Sequence, residues 1–222
     1  MKKTFKSVFL GVFFGILCLI AATAIGLGFI HVTDFPYKAD IEYLEICDYS
    51  GYDHDTVLRN YHDAMRFLSP FRNEPYHLTD LNYSEGGAQH FDEVKVIFNW
   101  LYALGLVCTL SVAAIAWAKR RKSKQFLLAS SITTLALPLV IAAVAAIDFD
   151  AMFIVFHKIF FNNDLWIFDY RRDEIIKILP SEFFMHCAFV IVAFWIIAAA
   201  VQFVFYIRDK KTIIKKPEFD NE

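Results

Sequence analysis

Residues 96–147 read VIFNWLYALGLVCTLSVAAIAWA (Val96 to Ala118), KRRKSK (119–124), then QFLLASSITTLALPLVIAAVAAI (Gln125 to Ile147). Two runs of 23 residues without Asp, Glu, Lys or Arg flank a hexapeptide carrying five cations. A helix rises about 1.5 Å per residue, so each run is long enough to cross a hydrocarbon core of about 30 Å. The stretch reads as a membrane hairpin with a basic turn.

Working outward, Val8 to Ile30 and Phe183 to Ile207 have the same character, giving four spans in a chain of 222 residues that is 57% hydrophobic, has 24 Phe and carries a formal net charge of -2. This is the composition of a membrane protein, and nothing in it points to nucleic acid. The first run follows Met1-Lys2-Lys3 as a signal peptide would. Its 23 residues exceed the core of about 7–15 that a signal needs, so it is expected to remain as a span.

Charge placement orients the spans. Lys2, Lys3, Lys6, the basic turn, and Arg208, Lys210, Lys211, Lys215 and Lys216 contain thirteen of the 22 basic residues, all on one side. By the positive-inside rule both termini are cytoplasmic. Twenty of the 24 acidic residues fall in 31–95 and 148–182, which are therefore outside. The expected organisation is a cytoplasmic N-terminus and first span over 1–30, an extracytoplasmic segment over 31–95, two spans and their cytoplasmic turn over 96–147, a second extracytoplasmic segment over 148–182, and the fourth span with a cytoplasmic tail over 183–222. The fold class is mainly α: a four-helix transmembrane bundle in the cell membrane with a small extracytoplasmic cap of short helices and possible minor strands.

Within the cap, Val57, Leu58, Tyr61, Met65 and Leu68 recur at helical spacing, with Asp53 or Asp55 available as an N-cap and Pro70 as a stop. Ile41-Glu42-Tyr43-Leu44-Glu45-Ile46 alternates as a strand would. Ser69 to Ala88 carries Pro, Asn, Asp and Gly turn signals and reads as a loop that delivers His90 to the second span. From Asp148, an aromatic-rich helix with Phe153, Phe156, His157, Phe160 and Phe161 either continues the third span or lies at the interface. The cysteines form no disulfide framework, and a Cys47 to Cys187 bridge has no spacing to support it.

The chemistry-bearing groups sit outside the spans. Ion-coupled transporters and channels usually need ionisable groups or broken helices at membrane depth, and the spans as drawn contain no Asp, Glu, Lys or Arg, with Asn99, Gln202 and, near one end, His186 as their main polar exceptions. His90 and His157 each lie among apolar neighbours where a span meets the outer face. An imidazole there serves either as a proton acceptor and donor near neutral pH or as an amphipathic anchor. Ser84 with Glu85 offers a nucleophile and an acid, but no nucleophile-elbow spacing surrounds it. All seven histidines are on or near the outer side, without HExxH or comparable spacing, and no metal site is expected.

Three motifs in order carry a resemblance: Ser84-Glu85-x-Gly87-x-x-His90-Phe91-x-x-Val94-Lys95, then Phe156-His157-x-x-Phe160-Phe161-x-Asn163-Asp164-x-Trp166-x-Phe168-Asp169, then Leu179-Pro180-x-Glu182-x-Phe184. Together they resemble the lipoprotein intramolecular transacylase family of Gram-positive bacteria, over nearly the whole chain. The resemblance implies an acyltransferase acting on diacylglyceryl-modified lipoproteins within membrane lipid. It moves the sn-2 acyl chain to the α-amino group of the N-terminal cysteine, leaving the N-acyl, S-monoacylglyceryl (lyso) form. It also implies that His90 and His157 are the catalytic pair. Glu85, Gln89 and Asp92 are then candidates for orienting His90, Trp166 for acyl-chain contact, Arg171 for anionic headgroups, and Phe153, Phe156, Phe160 and Phe161 for an acyl groove.

The residues fit that chemistry on their own terms. An α-ammonium of pKa about 7.7–8.0 must lose a proton before it attacks an ester, and one imidazole can take it. The second can stabilise the oxyanion and return a proton to the departing oxygen. Donor and acceptor belong to one molecule, so neither an acyl-enzyme nor a cofactor is required. His157 is expected as base and His90 as oxyanion partner. Two alternatives stay open on the residues alone: a non-catalytic membrane sensor or assembly partner, and a metal-dependent membrane hydrolase.

Overall fold

The computed structural model describes residues 2–70, 72–120 and 124–214. Part of the basic turn (121–123) and the tail 215–222 lie outside the described residues. In chain order the helices are α1 (Lys2–Val32), α2 (Phe35–Tyr43), α3 (Ile46–Ser50), α4 (His54–Leu68), α5 (Glu85–Lys119), α6 (Phe126–Ile147), α7 (Phe149–Phe160), α8 (Ile175–Ile178) and α9 (Ser181–Ile214), with no strand among the described residues. Four of them contain stretches long and apolar enough to cross a membrane: Phe5–Val32, Glu85–Lys119, Phe126–Val144 and Ser181–Lys210. The protein is a multi-pass membrane protein with a mainly helical, four-span fold.

The chain divides into two compact units. The first comprises Met1–Gly26, Leu104–Ala142 and Ile191–Glu222. Its helices meet through small and hydroxyl side chains, because lipid tails are as apolar as Leu and give no hydrophobic drive for helices to associate. Gly11 and Gly15, four apart on α1, lie against the backbone of α6. A Cβ on Gly11 would stand 2.7 Å from Ala129 Cβ, and one on Gly15 would stand 2.7 Å from the Ser130 carbonyl. The close approach lets Thr134 donate to the Gly15 carbonyl at 3.2 Å. Gln202 of α9 completes a buried set: its Nε2 donates to Thr134 Oγ1 at 3.2 Å and its Oε1 accepts from Ser130. Ser131 donates to the Ala199 carbonyl at 2.9 Å.

The second unit, Leu27–Ala103 and Ala143–Val190, carries the candidate site. Its core stacks Tyr37 on Tyr61 at 3.8 Å between ring centroids, with Phe183 edge-on to both and the Tyr37 hydroxyl donating to the Ile178 carbonyl at 2.7 Å. α4 forms where its spacing predicts and is capped by Asp53, which accepts from the Thr56 amide.

Residues 41–46 are not a strand. The apolar positions that matter are Tyr37 and Ile41, buried one helical turn apart on α2, and the chain breaks at Glu45, whose φ of 50° and ψ of 41° are left-handed. Alternation over so few residues also fits a helix that ends midway.

The loop before the second span ends earlier than its Gly signals suggest, because Glu85, Gly86, Gly87 and Ala88 are the first turn of α5. Asp148 ends α6 in an extended conformation and caps α7 by accepting from the Ala151 amide, so α7 is a helix of its own.

A side chain at Gly15 must push α6 away. Gly15→Leu is expected to lower stability by about 1–3 kcal/mol, the usual range for overpacking, measured by thermal unfolding in detergent. Gly28→Ala serves as control, since its Cβ meets only Tyr102 Cε1 at 3.9 Å, and it is expected to be neutral or stabilising.

Candidate active site

The start of α5 is fixed from three directions. Ser84 caps it, its Oγ accepting from the Gly87 amide and its carbonyl from the Ala88 amide, both at 3.0 Å. The Ser84 amide donates to Asp173 Oδ1 at 2.7 Å. Any Cβ on Gly87 would collide with that carboxylate, so glycine is what lets Asp173 approach the helix. The preceding loop is pinned to α4. Buried Asn60 accepts from the amides of Asp80 and Leu81 at 3.0 and 3.3 Å, and Asp63 accepts from the amide and hydroxyl of Thr79 at 2.9 and 2.6 Å.

On this support His90 emerges from the second turn of α5 and His157 from α7, each 7% exposed. Their ring centroids are 5.8 Å apart with planes inclined at 36°. Phe161 and Phe168 flank His90 at 4.7 and 5.5 Å, while Phe153 and the indole of Trp166 cover His157 at 4.1 and 4.9 Å, Trp166 nearly parallel to it. The structure thus brings together the two histidines from separate motifs, along with Trp166.

The two rings differ in their hydrogen bonds. His157 Nδ1 lies 2.7 Å from the Phe153 carbonyl, which can only accept, so Nδ1 carries the hydrogen and Nε2 keeps a lone pair. Burial lowers the His157 imidazole below its ordinary value of 6.5, and the Phe153 carbonyl opposes the shift only in part. His90 Nδ1 is buried without a partner among the described residues.

The other candidates are placed less uniformly. Glu85, Gln89 and Asp92 lie on exposed positions of α5. Phe156 and Phe160 pack on each other at 4.6 Å but are 46% and 53% exposed on α7. Arg171 is exposed beside Tyr170. The remaining histidines have separate partners: His31 bonds Tyr102, Ser69 and the Met65 carbonyl, His62 bonds Asp34, His77 bonds Tyr83 and His186 bonds Asp40, while His54 is exposed. No three metal-binding side chains are grouped among the described residues, and all four cysteines are free thiols.

Sequence reasoning passed over Glu93, one turn beyond His90. Its carboxylate receives both Asn163 amide contacts, at 2.9 and 3.1 Å. The i to i+3 spacing from His90 was the available signal. Beyond Asn163 the chain alternates: Trp166 and Phe168 face the histidines, while Leu165 and Ile167 line a cleft of about 210 Å³ with Ser84, Gly87, Asp164 and Asp173.

Residues 9–184 match the family described as lipoprotein intramolecular transacylase Lit. The chain belongs to this family. Membership makes it an acyltransferase, and the matched stretch contains both histidines and the Asn163–Asp173 segment. The chain is similar to the in meso structure of the membrane integral lipoprotein intramolecular transacylase Lit from Bacillus cereus, with 28% identity, a TM-score of 0.82, and coverage of 96% of this chain and 99% of that one. Two further structures of the Bacillus cereus protein carry a single histidine replaced by arginine or by alanine. Each is 27% identical to this chain, with TM-scores of 0.79 and 0.78, covering 97% and 96% of this chain and 96% and 97% of theirs. No curated protein sequence matches the chain.

Ser84 acts as a helix cap in this geometry, its Oγ engaged by the Gly87 amide. Ser84→Ala is expected to cost about 1 kcal/mol, the usual worth of an N-cap, while acyl transfer persists. Thermal unfolding and product mass spectrometry check both, and complete loss of product in a folded variant would restore the nucleophile reading.

Proposed function

We propose that the chain transfers the sn-2 acyl group of a diacylglyceryl lipoprotein to the α-amino group of its N-terminal cysteine, at the outer face of the cell membrane with both termini cytoplasmic. The observation that carries this reading is the pair of buried, aromatic-walled imidazoles on two elements, one of them fixed in the tautomer of a base. The names of the Bacillus cereus relatives, and the choice of a histidine for replacement in two of them, support it.

His157 Nε2 takes a proton from the substrate α-ammonium, and the freed amine attacks the sn-2 ester carbonyl, forming the C–N bond. The oxyanion accepts a hydrogen bond from the His90 ring. Two imidazolium rings 5.8 Å apart in an apolar shell would repel, so the pair carries one extra proton at most. As the C–O bond breaks, a second proton leaves the attacking nitrogen and one proton reaches the departing sn-2 oxygen through the imidazoles. An ammonium and an ester thus become an amide and an alcohol, and the other proton passes from the imidazoles to solvent. The exposed rings of Phe156 and Phe160, beside buried His157, give acyl chains an apolar approach, and Arg171 supplies a cation for headgroups.

His90→Ala and His157→Ala are each expected to abolish the N-acyl, S-monoacylglyceryl peptide from a reporter lipoprotein while the protein still inserts. Tandem mass spectrometry in a host that makes only the diacylglyceryl form reads the result, and turnover in both variants would reject the pair. Burial lets His157 stay neutral, and therefore a base, to a lower pH than an ordinary imidazole. The acid limb of kcat is accordingly expected below pH 6.5, and a limb at or above it counts against His157 as base.

A further inference from the structure

The reacting pair sits on two separate helices, α5 and α7, and the bond of His157 to the Phe153 carbonyl orients its ring without fixing the distance between the helices. Hydrogen bonds run from α5 to the loop that follows α7, and a ring contact carries the link on to His157. Asn163 Nδ2 donates to both carboxylate oxygens of Glu93, at 2.9 and 3.1 Å, one turn beyond His90 on α5. The Asn163 side-chain oxygen accepts from the Leu165 amide at 3.0 Å, and its main-chain carbonyl accepts from Trp166 Nε1 at 2.9 Å. That indole lies across His157 at 4.9 Å with planes inclined at 28°. Every polar atom of the Asn163 side chain is thus committed: the nitrogen to α5, the oxygen to the loop that carries Trp166.

Resting on the transacylase reading above, we propose that Glu93 and Asn163 are positioning residues: their contact ties the helix of His90 to the loop that holds Trp166 over His157, and so sets the spacing of the catalytic pair. The chemistry of the link is specific. Asn163 must donate to Glu93 and accept from Leu165, which an amide does and a carboxylate cannot. Asn163→Asp therefore sets two carboxylates against each other and opens the link. Combining it with Glu93→Gln reverses the polarity, since a glutamine amide donates to a carboxylate that still accepts from the Leu165 amide.

The test compares wild type, Glu93→Gln, Asn163→Asp and the double variant, all purified in detergent with synthetic diacylglyceryl lipopeptide. Asn163→Asp is expected to lose about 100-fold in kcat, the scale for a catalytic group displaced by 1 Å, with KM little changed. The double variant is expected to recover to within about 10-fold of wild type, the lower end of what such supporting contacts are worth. Trp166 emission, taken as the difference from the matching Trp166→Phe protein, is expected to shift in Asn163→Asp and return in the double variant. An Asn163→Asp enzyme with wild-type kcat, or a folded double variant as slow as the single, overturns the proposal. Should Asn163→Asp fail to fold, the double variant decides alone: wild-type emission with restored turnover supports the link, and their loss rejects it. Emission needs no turnover, so an inactive wild type would sink the transacylase reading while still testing the link.

Discussion

A loop outside any helix or sheet holds one shape only when its amides find partners, and much else in the second unit depends on how α4 supplies them. Asn60 and Asp63 take the amides of Thr79, Asp80 and Leu81, which no helix or sheet satisfies. The loop so fastened presents Ser84 at a fixed point. Glu174 fastens the other side: burial works against its charge, yet the Asn82 amide, Lys177 and Tyr52 hold its carboxyl down to about 2. An ionised carboxylate is thus built in where two strands of loop meet, and α5 starts from that anchored edge.

The two units solve the same problem of polar groups in different media. In the first, hydroxyls of Ser130, Ser131 and Thr134 bond across to Gln202, the Ala199 carbonyl and the Gly15 carbonyl, because lipid offers no alternative partner. In the second, carboxylates and amides do that work and apolar rings are spent on the histidines. The result is an aromatic enclosure around two imidazoles, in which a single added proton is a large perturbation.

Much of this was legible in the sequence, for identifiable reasons. Span length and the charge-free runs mark the four crossing helices, and the spacing of Val57, Tyr61 and Leu68 with Asp53 ahead marks α4. His90 and His157 stand out because titratable groups among apolar neighbours are costly, and the structure brings their rings together. Six alternating residues misled at 41–46, since the same letters suit a helix ending at Tyr43. The Gly86-Gly87 pair reads as a turn until Asp173 is seen pressing on it. The i to i+3 spacing from His90 marks Glu93 only weakly, because what distinguishes it from Glu85 or Asp92 is a partner 70 residues away.

The bond from His157 to the Phe153 carbonyl has a consequence for how this site can vary among relatives. Its acceptor is main chain, present whatever side chain occupies position 153. Orientation of this imidazole is therefore inherited with the helix itself and survives any replacement there that keeps α7 wound. The ring at 153 is left free to drift toward whatever shape its neighbours in the enclosure require, and natural variation can retune the wall without ever disturbing which nitrogen is basic.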